Sequence, residues 1–109
     1  MEPRVLGELE QIVLLAVMRA GDDAYGVTVL AEIEQATGRT PTLATVHTTL
    51  SRLETKGLVS SRLGEPTPQR GGRRKRYFAA TPAGKRAVRE SIAAIGRLAR
   101  GLSVGWDVP

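Results

Sequence analysis

The order of its hydrophobic patterns most constrains what this chain can fold into. Three helix-period segments come first, then two short strand-like runs, then a fourth helix-period segment. Residues 8–20 place Leu9, Ile12, Val13, Ala16 and Val17 at helical spacing, and Leu14, Leu15 and Met18 carry the apolar surface onto a second face. A helix apolar on more than one side is either central in its domain or shared with a partner. Gly21 stops it, and Asp22-Asp23 opens a turn. A second helix is expected over 26–37, with Val29, Leu30, Ile33 and Ala36 inward and Gly38 as its cap. Thr40-Pro41-Thr42 restarts the chain: either threonine can cap a third helix, and Pro41 suits a first helical position. That helix keeps Leu43, Val46, Leu50 and Leu53 on one face and stops at Lys56-Gly57.

LVSSRL (58–63) and RYFAAT (76–81) read as strands, joined by the twelve-residue connection GEPTPQRGGRRK. Thr81-Pro82 repeats the cap-plus-proline signal and launches a fourth helix to about residue 101. Val88, Ile92, Ile95, Ala99 and Leu102 follow the seam spacing of a short coiled coil. The expected fold class is therefore mainly α with a small β-hairpin, a winged helix–turn–helix plus a C-terminal helix. In that arrangement the third helix enters the major groove of DNA and the hairpin, or wing, reaches the adjacent backbone or minor groove. The expected division is 1–81 for the DNA-binding unit, with the wing at about 58–81, then 82–102 for a dimerisation helix and 103–109 for a tail.

Composition removes most alternatives. The 109 residues are one domain's worth of chain, with no cysteine and a single histidine, His47. Thiol catalysis, disulfide scaffolds, Cys-based metal sites and multi-His centres are excluded. Neither phosphate-binding glycine motif occurs, and no nucleophile–base pair is indicated by spacing. The chain is thus not expected to be an enzyme, nor to carry a metal or cofactor. The longest apolar run, Ile12–Met18, is too short to cross a bilayer, and MEPRVLGELE lacks the pattern of a signal peptide. A cytoplasmic protein without membrane contact is the expectation.

Charge is unevenly placed. Sixteen basic and eleven acidic residues give a net +5, yet residues 1–51 carry three basic against seven acidic residues. Residues 52–89 carry eleven basic residues against only Glu54 and Glu65, a net of +9. One contiguous stretch holds the positive excess, as the footprint for a polyanion would. It overlaps the end of the third helix, whose polar faces carry Thr42, Thr45, His47, Thr48, Thr49, Ser51 and Arg52. Short hydroxyl side chains let a helix sit deep in a groove and hydrogen-bond phosphates or base edges. Threonine is unfavourable inside helices, so an ordinary surface helix would not concentrate it there. Between the strands, Arg70, Arg73, Arg74, Lys75 and Arg76 surround Gly71-Gly72, a composition suited to gripping phosphates.

Taken in order, several motifs resemble the PadR-like family of transcriptional regulators. They are Leu6-Gly7-Glu8-Leu9-Glu10, Ala24-Tyr25-Gly26-Val27, Thr45-Val46-His47-Thr48-Thr49-Leu50, Arg52-Leu53-Glu54 and Lys56-Gly57-Leu58-Val59. Gly71-Gly72-Arg73-Arg74-Lys75-Arg76-Tyr77-Phe78 and Thr81-Pro82-Ala83-Gly84 complete the set. The chain looks most like the short subgroup with a single C-terminal helix. The resemblance implies a homodimeric repressor that binds double-stranded DNA at a roughly palindromic operator and is released by a small hydrophobic effector. It departs at His47, where members usually have a tyrosine that touches the DNA backbone. The expected DNA contacts are Thr42, Thr45, His47, Thr48, Arg52 and the five wing cations, and the expected dimer seam is Val88, Ile92, Ile95 and Leu102. An apolar effector pocket between subunits would draw on Trp106 and the first helix. A basic, non-specific RNA- or nucleoid-binding protein is the alternative, followed by a protein-interaction module.

Overall fold

Helix α1 (Glu8–Ala20) begins where the Glu10 carboxylate accepts the Gly7 amide at 2.9 Å, tying down one of the N–H groups that a helix start leaves unpaired. The computed structural model describes residues 6–66 and 74–102. A single 3-10 turn, Gly21–Asp23, leads to α2 (Gly26–Thr37). There the Tyr25 amide donates to Thr28 Oγ1 at 3.0 Å, and the Thr28 hydroxyl donates in turn to the Asp23 carbonyl. Gly38 closes α2 in the left-handed conformation, its amide returning to the Glu34 carbonyl.

Helix α3 (Leu43–Thr55) is capped by Thr42, whose Oγ1 accepts the Thr45 amide at 3.1 Å. Pro41 therefore lies ahead of the helix, not in its first turn as the spacing predicted. Strands β1 (Val59–Leu63) and β2 (Arg76–Ala80) pair antiparallel, with Val59 opposite Ala80 and Leu63 opposite Arg76. Thr81 caps α4 (Pro82–Ala99), accepting the Gly84 amide at 3.0 Å, with Pro82 at its start. The strands are one residue shorter than expected because the flanking residues have other tasks. The Leu58 amide donates to Leu53 and closes α3, while Thr81 serves α4.

The core gathers Val13, Leu14 and Val17 of α1, Val29 and Ile33 of α2, and Val46, Leu50 and Leu53 of α3. Leu58, Phe78 and Val88 close it from the hairpin and α4. Each such burial contributes on the order of 2 kcal/mol. Helix α1 packs on α2, α3, β2 and α4 at once, the central one of the two positions that its two apolar faces allowed. Ala36 and Leu43, expected inward, are exposed; each lies near an end of its helix, at the rim of the core. Met18 is also exposed.

Only the first half of α4 belongs to this core. Gly84 and Val88 are buried, and the Ser91 hydroxyl donates to Gln11 Oε1 at 2.8 Å. A Cβ at Gly84 would fall on the Leu58 carbonyl oxygen, so only glycine allows α4 to sit this close to the turn after α3. Beyond Ser91 the helix leaves the body, and the radius of gyration, 15.8 Å, exceeds the value of about 13 Å for a compact chain of this length.

Candidate nucleic-acid interface

The order of elements places α3 on one edge of the body with its polar side outward. His47, Thr48, Ser51 and Arg52 are exposed, and Thr45 is half-buried. Thr42 is exposed but engaged: besides capping the helix, its hydroxyl donates to Thr45 Oγ1 at 2.8 Å. Thr49 faces the core, its hydroxyl donating to the Thr45 carbonyl at 2.8 Å. The outward surface of α3 thus presents His47, Thr48, Ser51 and Arg52 together, with Thr42 and Thr45 toward its start. His47 lies against the first turn of α2. A Cβ added to Gly26 would stand 2.7 Å from its imidazole, so the absence of a side chain there gives the ring its place.

The wing root is built from Arg74, Lys75 and Arg76, all exposed. Arg70 and Arg73, with Gly71 and Gly72, lie outside the described residues. Arg76 Nη1 donates to Ser61 Oγ at 3.0 Å, and Ser61 donates to Glu54 Oε2 at 2.6 Å, so a polar chain runs from β2 across β1 to the last turn of α3. Lys75 Nζ donates to the Tyr25 phenol oxygen at 3.3 Å, which holds its ammonium above the usual lysine range. The Phe78 amide donates to the Ala24 carbonyl at 2.8 Å, so the segment before α2 borders β2.

Ion pairs separate the structural cations from the rest. Among the described residues, Arg19 pairs with Glu32, Arg39 with Glu8 and Lys56 with Glu10. No cation of the α3 face or the wing root has a carboxylate within bridging distance there. Sequence reasoning missed Glu10, whose side chain is 9% exposed and meets Lys56 Nζ at 2.7 Å. Burial alone would raise its pKa; the Lys56 ammonium and the Gly7 amide outweigh that and hold it below the ordinary carboxylate value. It also missed Tyr25, Tyr77 and Arg62, which surround the wing root; they meet only in the folded chain, and no local pattern in the sequence signals it.

Of the expected seam residues, Val88 is 2% exposed and belongs to the core of its own chain. Ile92, Ile95 and Leu102 are 47%, 55% and 54% exposed, and Leu98, at 81%, joins them. Trp106 and the tail lie outside the described residues. No described helix is long and apolar enough to cross a membrane.

The family model described as the transcriptional regulator PadR-like family matches residues 14–90, from within α1 to the middle of α4. The chain belongs to the PadR-like family. This PadR-like chain is accordingly a DNA-binding transcriptional regulator and not an enzyme. Solved structures agree on its winged-helix architecture. A transcriptional regulator from Clostridium thermocellum superposes with a TM-score of 0.70 at 23% identity, over 84% of this chain and 86% of that one. A PadR family transcriptional regulator from Eggerthella lenta gives 0.65 at 26% identity, over 87% and 82%. One from Clostridium difficile gives 0.63 at 20%, over 83% and 93%. No curated protein matches the chain at a significant level.

Proposed function

We propose that this PadR-like regulator is a homodimeric repressor that binds a palindromic operator in the cytoplasm. The observation that carries the reading is a coincidence in space. The exposed hydroxyl, imidazole and guanidinium groups of α3 share an element with Glu54, which the Arg76–Ser61 chain joins to the wing root, and among the described residues no wing-root cation forms an ion pair with a carboxylate. Thr45, His47, Thr48 and Arg52 read or align the duplex in the major groove, with Thr42 at the helix start. Arg70, Arg73, Arg74, Lys75 and Arg76 form the wing that meets the flanking backbone. Residues 1–81 act as the DNA-binding unit and 82–102 as the dimerisation helix. Ile92, Ile95 and Leu98 of the helix, with Leu102 just past its end, supply its paired surface, because an isolated protein seldom leaves such side chains open together. A twofold pair sets two α3 helices one helical turn of DNA apart. A small hydrophobic effector between subunits releases the DNA, and quenching of Trp106 on titration with phenolic compounds is the sign of its binding.

The wing is tested by replacing its five cations with alanine and measuring duplex affinity over a range of salt. For every phosphate that the variant no longer neutralises, the magnitude of the salt slope falls by about 0.9. Weaker binding with a shallower slope is expected; unchanged affinity and slope would contradict the assignment.

A further inference from the structure

Both tyrosines of the chain meet where the wing joins the helical body. Tyr25 immediately precedes α2 and Tyr77 lies in β2; their rings contact edge to face, with centroids 5.6 Å apart and planes at 74°. A cation flanks each. Lys75 Nζ stands 4.4 Å from the Tyr25 ring centroid and 3.3 Å from its phenol oxygen, and the Arg62 guanidinium stands 4.8 Å over Tyr77. The result is a ladder, Lys75–Tyr25–Tyr77–Arg62, in which every step is a favourable contact with an aromatic quadrupole. It ties β1 and β2 to the start of α2. Tyr25 also adjoins Gly26, against which His47 of α3 rests, so one end of the ladder touches the support of the recognition face.

We propose that Tyr25 and Lys75 are positioning residues for DNA recognition, holding the wing root at a fixed angle to α2 and α3. Lys75 acts through Tyr25 and does not grip phosphate; the inference rests on the DNA-binding reading given above and refines the role of one wing cation. Its ammonium is turned back onto the protein, with one donor on the phenol oxygen and its charge by the ring. Fixing the wing before the duplex arrives removes an ordering cost that binding would otherwise carry. Arg74 and Arg76 have no such partner ring among the described residues.

The test uses the full chain with a mixed-sequence duplex of about 30 base pairs, titrated at salt from about 0.05 to 0.3 M. Lys75→Met is expected to weaken binding about fivefold, the size of an exposed cation–π contact. Lys75→Arg should retain wild-type affinity. The double variant Tyr25→Leu/Lys75→Met should bind no more weakly than Tyr25→Leu alone, and the salt slope should stay the same in Lys75→Met. If Lys75→Met instead lowers the slope by about 1 and its effect adds to that of Tyr25→Leu, Lys75 grips phosphate and the proposal is overturned. The ladder itself is read by NMR without DNA. Upfield-shifted Lys75 Hε resonances that return to ordinary values in Tyr25→Leu support it, and unshifted resonances in the wild type overturn it. A wild-type chain that binds no duplex removes the DNA reading and the positioning role together, while the NMR result still shows whether the ladder forms.

Discussion

Gly26 and Gly84 both sit where a side chain would collide, but the two neighbours respond differently. At Gly84 the obstacle is the Leu58 carbonyl, part of the backbone turn between α3 and β1. Gly84→Ala must push α4 off the body and is expected to cost about 3 kcal/mol in urea unfolding. At Gly26 the obstacle is the end of the His47 imidazole, which can swing toward solvent. Gly26→Ala should therefore cost about 1 kcal/mol or less, while duplex affinity falls as far as in His47→Ala. Equal stability losses at the two sites would show that His47 is not free to move. Glu10 sets an acid limit on stability. Its pKa is lowered in the fold, so its contribution is complete above the ordinary value of 4.5 and is lost as pH falls through the depressed one. A pH series of urea melts should lose stability below about pH 4.5, and Glu10→Gln should flatten that limb. Lys56→Met, which strands the carboxylate, should cost about 2 kcal/mol near neutral pH, discounted because the lysine is itself partly solvated.

Among the elements, α4 has two halves with different partners. Its first half is held by Gly84, Val88 and Ser91, and its second half leaves Ile92, Ile95 and Leu98 open, with Leu102 exposed just beyond its end. The double variant Ile95→Glu/Leu98→Glu should sediment as a monomer with an unchanged helical spectrum, whereas the wild type should sediment as a dimer at about 10 μM. A monomeric wild type would contradict the dimer. The elements themselves were legible in the sequence because each one is bounded by a local signal. Thr42 and Thr81 cap, Gly21 and Gly38 stop, and periodicity separates helix from strand. Periodicity did not distinguish a seam residue from a core residue. Val88 shares the spacing of Ile92 and Ile95, yet lies where α4 still touches the body. Spacing also misled at helix ends, since Ala36 and Leu43 keep the inner period yet are exposed.

For the whole molecule, the legible part of the site is the part written along one element. The exposed threonines of α3 and the cation run of the wing follow from position alone. What joins elements was not legible: Glu10 with Lys56 spans 46 positions, and Lys75 with Tyr25 spans 50. Such pairs appear only once the core has set the spacing of helices and hairpin. The same packing explains why charge separates as it does. Glu8, Glu10 and Glu32 of α1 and α2 are matched with Arg39, Lys56 and Arg19, while Arg52 of α3 and the wing-root cations are exposed without a carboxylate in bridging distance among the described residues. Sequence-specific binding by a twofold pair of such faces is the central claim. Selection from a randomised duplex library at about 0.15 M salt, where non-specific attraction is partly screened, tests it most directly. The account predicts enrichment of an inverted repeat whose half-sites lie about one helical turn apart. Binding without any enriched sequence, or no binding at all, would contradict it.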